Sequence, residues 1–269
     1  MSLHKVINTK SFKSTIMAKN FYFFDTEGND DESYERALNF AEKLVKANNE
    51  FKRIIYLVPS KNSTGWLDRL FGEQTVKKMF NGVKLSGTAV KIETIRTYTN
   101  SYNDPSDIVI CCGLNSEEIF KVQDYRHVDT IIAIPWQKES TASWIKTAKA
   151  IKINEDLSTD KEFSSNNYSQ PTEMVKNAFE ELTSVINTST GITHPSDNSR
   201  AKTYVRALHK YEPELNSDIV CSYLIRELGW KTKHADDIRK LIDTLNNGKF
   251  FHGGEKTGLQ NYYKRWKNK

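Results

Sequence analysis

Three short apolar runs constrain this chain more than any other feature: "RIIYLV" at 53–58, "DIVICCG" at 107–113 and "TIIAIPW" at 130–136. They are too short for helices and show no polar alternation, the pattern of strands covered on both faces. "FYFF" at 21–24 has the same character. "VKIETI" at 90–95 alternates apolar with polar, as a half-exposed edge strand would.

Helical patterns separate the runs. Ala37, Leu38, Ala41, Leu44 and Val45 share one face, with acids in the first turn where the helix dipole favours them. Trp66, Leu67, Leu70 and Phe71 form a second stripe, and helices through Ile119 and Phe120 and through Trp144 and Ile145 follow later strands. Strand–helix alternation of this kind predicts an α/β fold: a three-layer Rossmann-like domain with a mostly parallel sheet, over residues 20–153. The link from Ile95 to Asp107 has little room for a full crossover helix, so it must hold a short turn of helix, or one strand must run antiparallel.

The texture then changes. Residues 154–171, "NEDLSTDKEFSSNNYSQP", are acidic and rich in Ser and Asn, and read as a linker. Only helical stripes follow, so residues 172–269 are expected to form a smaller all-helical domain. One stripe joins Met174, Val175, Phe179, Leu182, Val185 and Ile186. A second runs through Ile219, Leu224 and Leu228, and a third through Ala235, Ile238, Leu241, Ile242 and Leu245. Gly229 and Gly248 stand where C-caps belong. Residues 218–246 also invite a helix-turn-helix reading, although Ile225 sits where that motif usually has a small residue. Residues 1–19 read as a lead-in without the apolar block of a secretory signal.

Charge is unevenly spread. The net charge of +5 divides into +4 over residues 1–153, −6 over 154–199 and +7 over 200–269. The last quarter is therefore the basic part, which favours an acidic partner such as nucleic acid or an acidic protein surface. Three cysteines, two of them adjacent, make no disulfide framework, and a cytoplasmic location is the expectation. No apolar run is long enough to span a bilayer, so no membrane partner is expected.

In open α/β sheets ligands sit beyond the C-terminal strand ends. At the second strand end, Ser60, Lys61, Ser63, Thr64 and Gly65 precede a helix. They supply hydroxyls, backbone N–H groups, a mobile cation and a positive dipole end, which is what a phosphate needs. The alternative is plain capping by Ser63 or Asn62. Gly113, Asn115 and Ser116 repeat the theme, with Ser116 as cap, though Glu117 and Glu118 would repel an anion there.

Asp25 and Glu27, at the end of the first strand, are the candidate catalytic pair, able in principle to hold Mg²⁺ or polarise a water. Cys112 is the one plausible nucleophile, yet free cysteine is more often a small core residue. No histidine spacing suits a metal, so no metal site is expected, and no cofactor can be named. Near the C-terminus, Lys256, Lys264, Arg265 and Lys267 are candidate contacts to nucleic acid or a protein partner. Leu259, Tyr262, Tyr263 and Trp266 follow helical spacing and read as a buried face, the alternative being that Tyr262, Tyr263 or Trp266 stacks on bases.

The function expected from these features is a binding protein: a nucleotide or other phosphorylated small molecule at the strand ends, and nucleic acid or a protein on the helical part. The alternatives are a nucleotide-processing hydrolase or transferase using the strand-end carboxylates, and a non-catalytic interaction scaffold.

Overall fold

The computed structural model describes residues 19–28, 30–48, 51–85, 87–101, 106–153, 169–212 and 215–269. The lead-in, except Lys19, and most of the acidic linker lie outside these residues. The α/β part contains β1 (Asn20–Phe23), α1 (Asp31–Ala47), β2 (Phe51–Val58), α2 (Gly65–Phe71), α3 (Glu73–Met79), β3 (Val83–Leu85), β4 (Thr88–Thr94), β5 (Ser106–Cys112), α4 (Ser116–Gln123), β6 (Val128–Ile134), α5 (Lys138–Ala148) and β7 (Ile151–Lys152). The strands form one sheet in the order β3-β4-β2-β5-β6-β1-β7. Every neighbouring pair is parallel except β3 with β4.

The three continuous apolar runs are β2, β5 and β6, and they lie inside the sheet, covered on both faces as expected. Successive side chains alternate between two cores. Ile54, Tyr56, Ile108, Ile110, Cys112, Ile132 and Ile134 pack under α1, α2 and α3. Ile55, Leu57, Val109, Cys111, Ile131 and Ala133 pack on the other side with α4 and α5. Cys111 and Cys112 thus point to opposite faces, and both are buried.

One detail differs from the sequence reading, and both alternatives it left open for the β4–β5 link are met in the sheet. The alternating strand β4 is not the edge, because the three-residue β3 pairs along its outer side. That strand is also where the antiparallel pairing occurs. The link from β4 to β5 uses the short turn, with Thr97 and Tyr98 folding back onto Thr94. β5 then pairs in parallel with β2, on the side away from β4.

The helical part contains α6 (Glu173–Val185), α7 (Pro195–Tyr211), α8 (Ser217–Arg226), α9 (Thr232–Asn246) and α10 (Leu259–Lys267). In α6 the buried stripe is Val175, Ala178, Phe179 and Leu182, while Val185 is exposed because the helix ends there. No stripe singled out α7, whose Pro195 opens the helix and whose Ala201, Tyr204, Val205 and Leu208 sit at the centre of the bundle. α8 and α9 form a helical hairpin. The outer side of α9 carries Asp236, Asp237 and Asp243, an unfavourable face to offer to DNA, and Arg239 and Lys240 are paired to Asp236.

This bundle packs on the side of the sheet that carries α4 and α5, and one continuous core runs through both parts. Arg226, almost fully buried, donates to the carbonyls of Ala148 and Lys149 at the end of α5 and lies 4.8 Å over the Phe21 ring. Its own carbonyl accepts from the Lys19 N–H. α9 has no side-chain cap of its own; the Asp124 carboxylate, just after α4, accepts from Thr232 N–H and Oγ1, both at 2.8 Å. Gln123 bridges the Trp144 indole and the Thr232 hydroxyl.

Candidate functional site

The C-terminal ends of β1, β2, β5 and β6 open on one edge of the sheet, and a chain of aromatic contacts ties their loops together. Tyr34, in the first turn of α1, stacks on Trp66 of α2 with ring centroids 3.6 Å apart. The Tyr34 hydroxyl accepts from the Trp136 indole N–H at 2.7 Å. The Trp136 carbonyl in turn accepts from Gly28 N–H at 2.9 Å. The indole lies flat over Gly113: a Cβ there would stand 2.3 Å from Trp136 Cδ2, and φ at that position is +67°. Only glycine fits both constraints. Burial raises the Tyr34 phenol above its usual range, so it stays neutral around physiological pH.

Around this floor, in which Tyr34 and Trp66 are buried and Trp136 half-buried, the sequence candidates divide. At 60–65, Ser60, Lys61 and Gly65 are exposed, and Ser60 Oγ and Ser63 Oγ are 2.9 Å apart. Neither Ser63 nor Asn62 caps α2. The N-cap is Thr64, and it makes no capping bond because its hydroxyl donates to the Lys61 carbonyl. The Ser63 carbonyl accepts from the Trp66 indole, which fixes the loop to the aromatic floor. Lys61 Nζ lies 5.6 Å from the Phe80 ring centre, a cation–π contact on a solvent-facing side chain.

At β5 the cap of α4 is Asn115, not Ser116. Its side chain accepts from Glu118 N–H while Glu118 bonds back to Asn115 N–H, a complete capping box. Ser116 donates to the Ser140 carbonyl and accepts from Trp144 N–H, joining α4 to α5. These side chains are committed to structure, and Glu118 sits where an anion would have to enter.

Asp25 lies between two lysines, 2.9 Å from Lys138 and 2.6 Å from Lys152. The hydrogen bonds and charges of Lys152 and Lys138 hold its carboxyl down at about 2. Each carboxylate oxygen already has a cation, which is poor preparation for binding Mg²⁺. Asp30, not Asp25 or Glu27, caps α1. Among the described residues no group of three or more His, Cys, Asp or Glu could hold a metal ion. Cys112 is fully buried and its thiol is pushed far above the ordinary range by burial, so it is a core residue.

Sequence reasoning missed Tyr34, Trp66 and Trp136 as one unit. A tryptophan directly after a buried strand, next to a proline, was the available signal.

In the helical part Leu259 and Trp266 are buried and Tyr262 and Tyr263 half-buried, packed on Tyr204 and Tyr211. Lys256, Lys264, Arg265 and Lys267 are exposed, but Arg265 is already engaged in a two-pronged ion pair with Glu181. A cleft of about 350 Å³ opens between α6 and the start of α8, lined by Thr172, Val175, Glu212, Leu215 and Ile219. No described helix is long and apolar enough to cross a membrane.

Residues 171–267, the stretch from α6 to α10, match a family profile described as a domain of unknown function (DUF1889). No curated protein and no solved structure matches the chain.

Proposed function

We propose that this chain is a non-catalytic binding protein. The loop at 60–65 receives the phosphate of a nucleotide or another phosphorylated small molecule, and the basic helical part contacts an acidic macromolecule. The observation that carries the reading is the first turn of α2. Its N-cap residue Thr64 makes no side-chain capping bond, the Ser60 and Ser63 hydroxyls stand beside it, and among the described residues the Lys61 ammonium meets only the Phe80 ring. Uncapped N–H groups beside a mobile cation suit an anion. The Trp136 indole, half-exposed over Gly113, offers a flat apolar neighbour for the rest of such a ligand. The hydrolase or transferase reading has less support, since Asp25 is neutralised by Lys138 and Lys152.

The test is a thermal-shift panel of nucleotides and dinucleotides, with and without Mg²⁺, on wild type and Lys61→Ala. A ligand at about a hundred times its Kd adds about 2.7 kcal/mol to the folded state. A shift that disappears in Lys61→Ala supports the reading. A Mg²⁺-dependent shift lost in Asp25→Asn would transfer weight to the enzyme. No shift with any compound would leave 60–65 as an ordinary turn.

A further inference from the structure

The segment between α9 and α10 carries features that the strand-end loops do not use. Phe250 is 90 % exposed, far more than Val185, the other large apolar side chain exposed among the described residues. It stands on a fixed backbone. α9 ends in a closed turn, with Gly248 N–H donating to the Leu245 carbonyl and Lys249 N–H to the Thr244 carbonyl, both at 2.9 Å, and Gly248 at φ +70°. That closure satisfies the last helical carbonyls and sets the direction of exit.

Arg206 of α7 then grips the following loop. Its guanidinium donates to the carbonyls of Phe251, Gly253 and Glu255 at 2.9–3.2 Å. Glu255 N–H donates to Thr203 Oγ1 at 2.8 Å. Gly254 lies so close to α7 that a Cβ would meet the Thr203 backbone nitrogen at 3.0 Å. Phe251 turns inward beneath Arg206 and Lys202. Of two adjacent phenylalanines, one anchors the loop and the other is held out in water.

The surroundings are cationic. Residues 247–269 hold six Lys/Arg and one acid, Glu255, whose carboxylate accepts from the Tyr262 hydroxyl at 3.1 Å. Lys202 and Lys210 of α7 add to this face. Lys202, Lys249, Lys256, Lys264 and Lys267 take no part in the ion pairs found among the described residues.

We propose that this face binds a single-stranded nucleic acid, with Phe250 stacking on a base and Lys249, Lys256 and Lys202 meeting phosphates. This deepens the partner half of the function proposed above and is independent of the strand-end ligand. A single strand presents both unstacked base faces and a regular row of negative charge, matching an exposed ring among unpaired lysines. A duplex hides its base faces, and an acidic protein surface would satisfy the lysines and leave the ring unused. The clamped backbone lowers the ordering cost of stacking.

The experiment is fluorescence anisotropy of the full chain with a labelled single-stranded DNA or RNA, the matching duplex, and polyglutamate as competitor. Wild type is compared with Phe250→Ala, Phe250→Trp and Lys61→Ala. The single strand should bind more tightly than the duplex, and binding should weaken as salt rises. Phe250→Ala should weaken it about ten-fold or more, within the range for loss of one stacked base. Phe250→Trp, which keeps a stacking surface, should retain binding. Lys61→Ala should not matter here, and Phe250→Ala should leave any nucleotide-induced thermal shift intact, so the two readings fail separately. The proposal is overturned by no binding at low salt, by equal binding of duplex with no effect of Phe250→Ala, or by polyglutamate competing as well as the nucleic acid.

Discussion

Replacing Arg53 with alanine tests the balance of charge inside the sheet. Asp107 is fully buried at the start of β5, and Arg53 grips it from β2 with two parallel bonds, Nε to Oδ1 at 2.7 Å and a terminal nitrogen to Oδ2 at 2.8 Å. Tyr98, in the link from β4, donates to Oδ2 at 2.8 Å, and His127 Nε2 stands 3.7 Å from the same oxygen. Burial raises the Asp107 pKa, and the Arg53 bonds and charge and the Tyr98 hydroxyl oppose that rise without cancelling it. Removing one partner of a buried pair costs about 3–5 kcal/mol. The lower half of that range applies, because the Arg53 side chain is 26 % exposed and partly screened.

At about 2–4 °C per kcal/mol for a chain of this size class, Arg53→Ala should lower Tm by about 6–16 °C. The sign with pH follows from the raised pKa. The folded state holds the Asp107 proton more tightly than the unfolded state, so stability from this group falls as pH rises through the folded pKa. Loss of Arg53 raises that pKa further. The deficit of the variant should therefore be largest near neutrality and shrink in mild acid, where Asp107 becomes neutral. Arg53→Met combined with Asp107→Asn should recover most of the loss, since no uncompensated charge remains and Tyr98 keeps an acceptor. Denaturant titrations of the wild type, Arg53→Ala, Asp107→Asn and the double variant at several pH values read this directly. A deficit independent of pH, or a double variant as unstable as Arg53→Ala, would refute the reasoning.

Two further outcomes follow from the strand-end geometry. Gly113→Ala places a Cβ against the Trp136 ring at a positive φ, so it should destabilise by about 1–3 kcal/mol and shift tryptophan fluorescence, read by denaturant titration. An unchanged midpoint and spectrum would show that the indole moves away freely. Asp25 should titrate near 2 by NMR, and its pKa should move up toward the ordinary carboxylate value in Lys152→Met and again in Lys138→Met. Its depressed folded pKa means that its stabilising contribution is present above the unfolded pKa and lost as pH falls toward 2.

The sequence was legible where burial was total. β2, β5 and β6 announce themselves because both faces are covered, and unbroken apolar runs of that length have few other uses. Short or exposed elements left no such trace. β3 has three residues that need only pair along one edge, and β7 has two, so neither builds a period. α7 was missed because its surface is mostly polar and its buried stripe mixes the large Tyr204, Val205 and Leu208 with small or polar residues, Ala201, Thr203 and Ala207. At the candidate site, the residue types marked where helices begin but not which side chain takes the capping position, Thr64 rather than Ser63 or Asn62 and Asn115 rather than Ser116. Asn115 and Ser116 look equally free in a string of letters, and the distinction between them is set by Ser140 and Trp144, more than twenty residues away. Phe250 gave no signal at all, since only the fold tells which of two neighbouring phenylalanines faces water.

The buried Arg226 also bears on how the chain is made. A ribosome releases β1, carrying Phe21, some two hundred residues before the helix whose guanidinium covers that ring. Elongation at about 5–20 residues per second leaves this interval at about 10–40 s. The sheet can form meanwhile, but Phe21 and the terminal carbonyls of α5 wait for α8 without their partners. A nascent chain stalled before residue 217 would carry an exposed apolar flank, a surface of the kind that chaperones hold. The last hundred residues are therefore the cover that completes the first part.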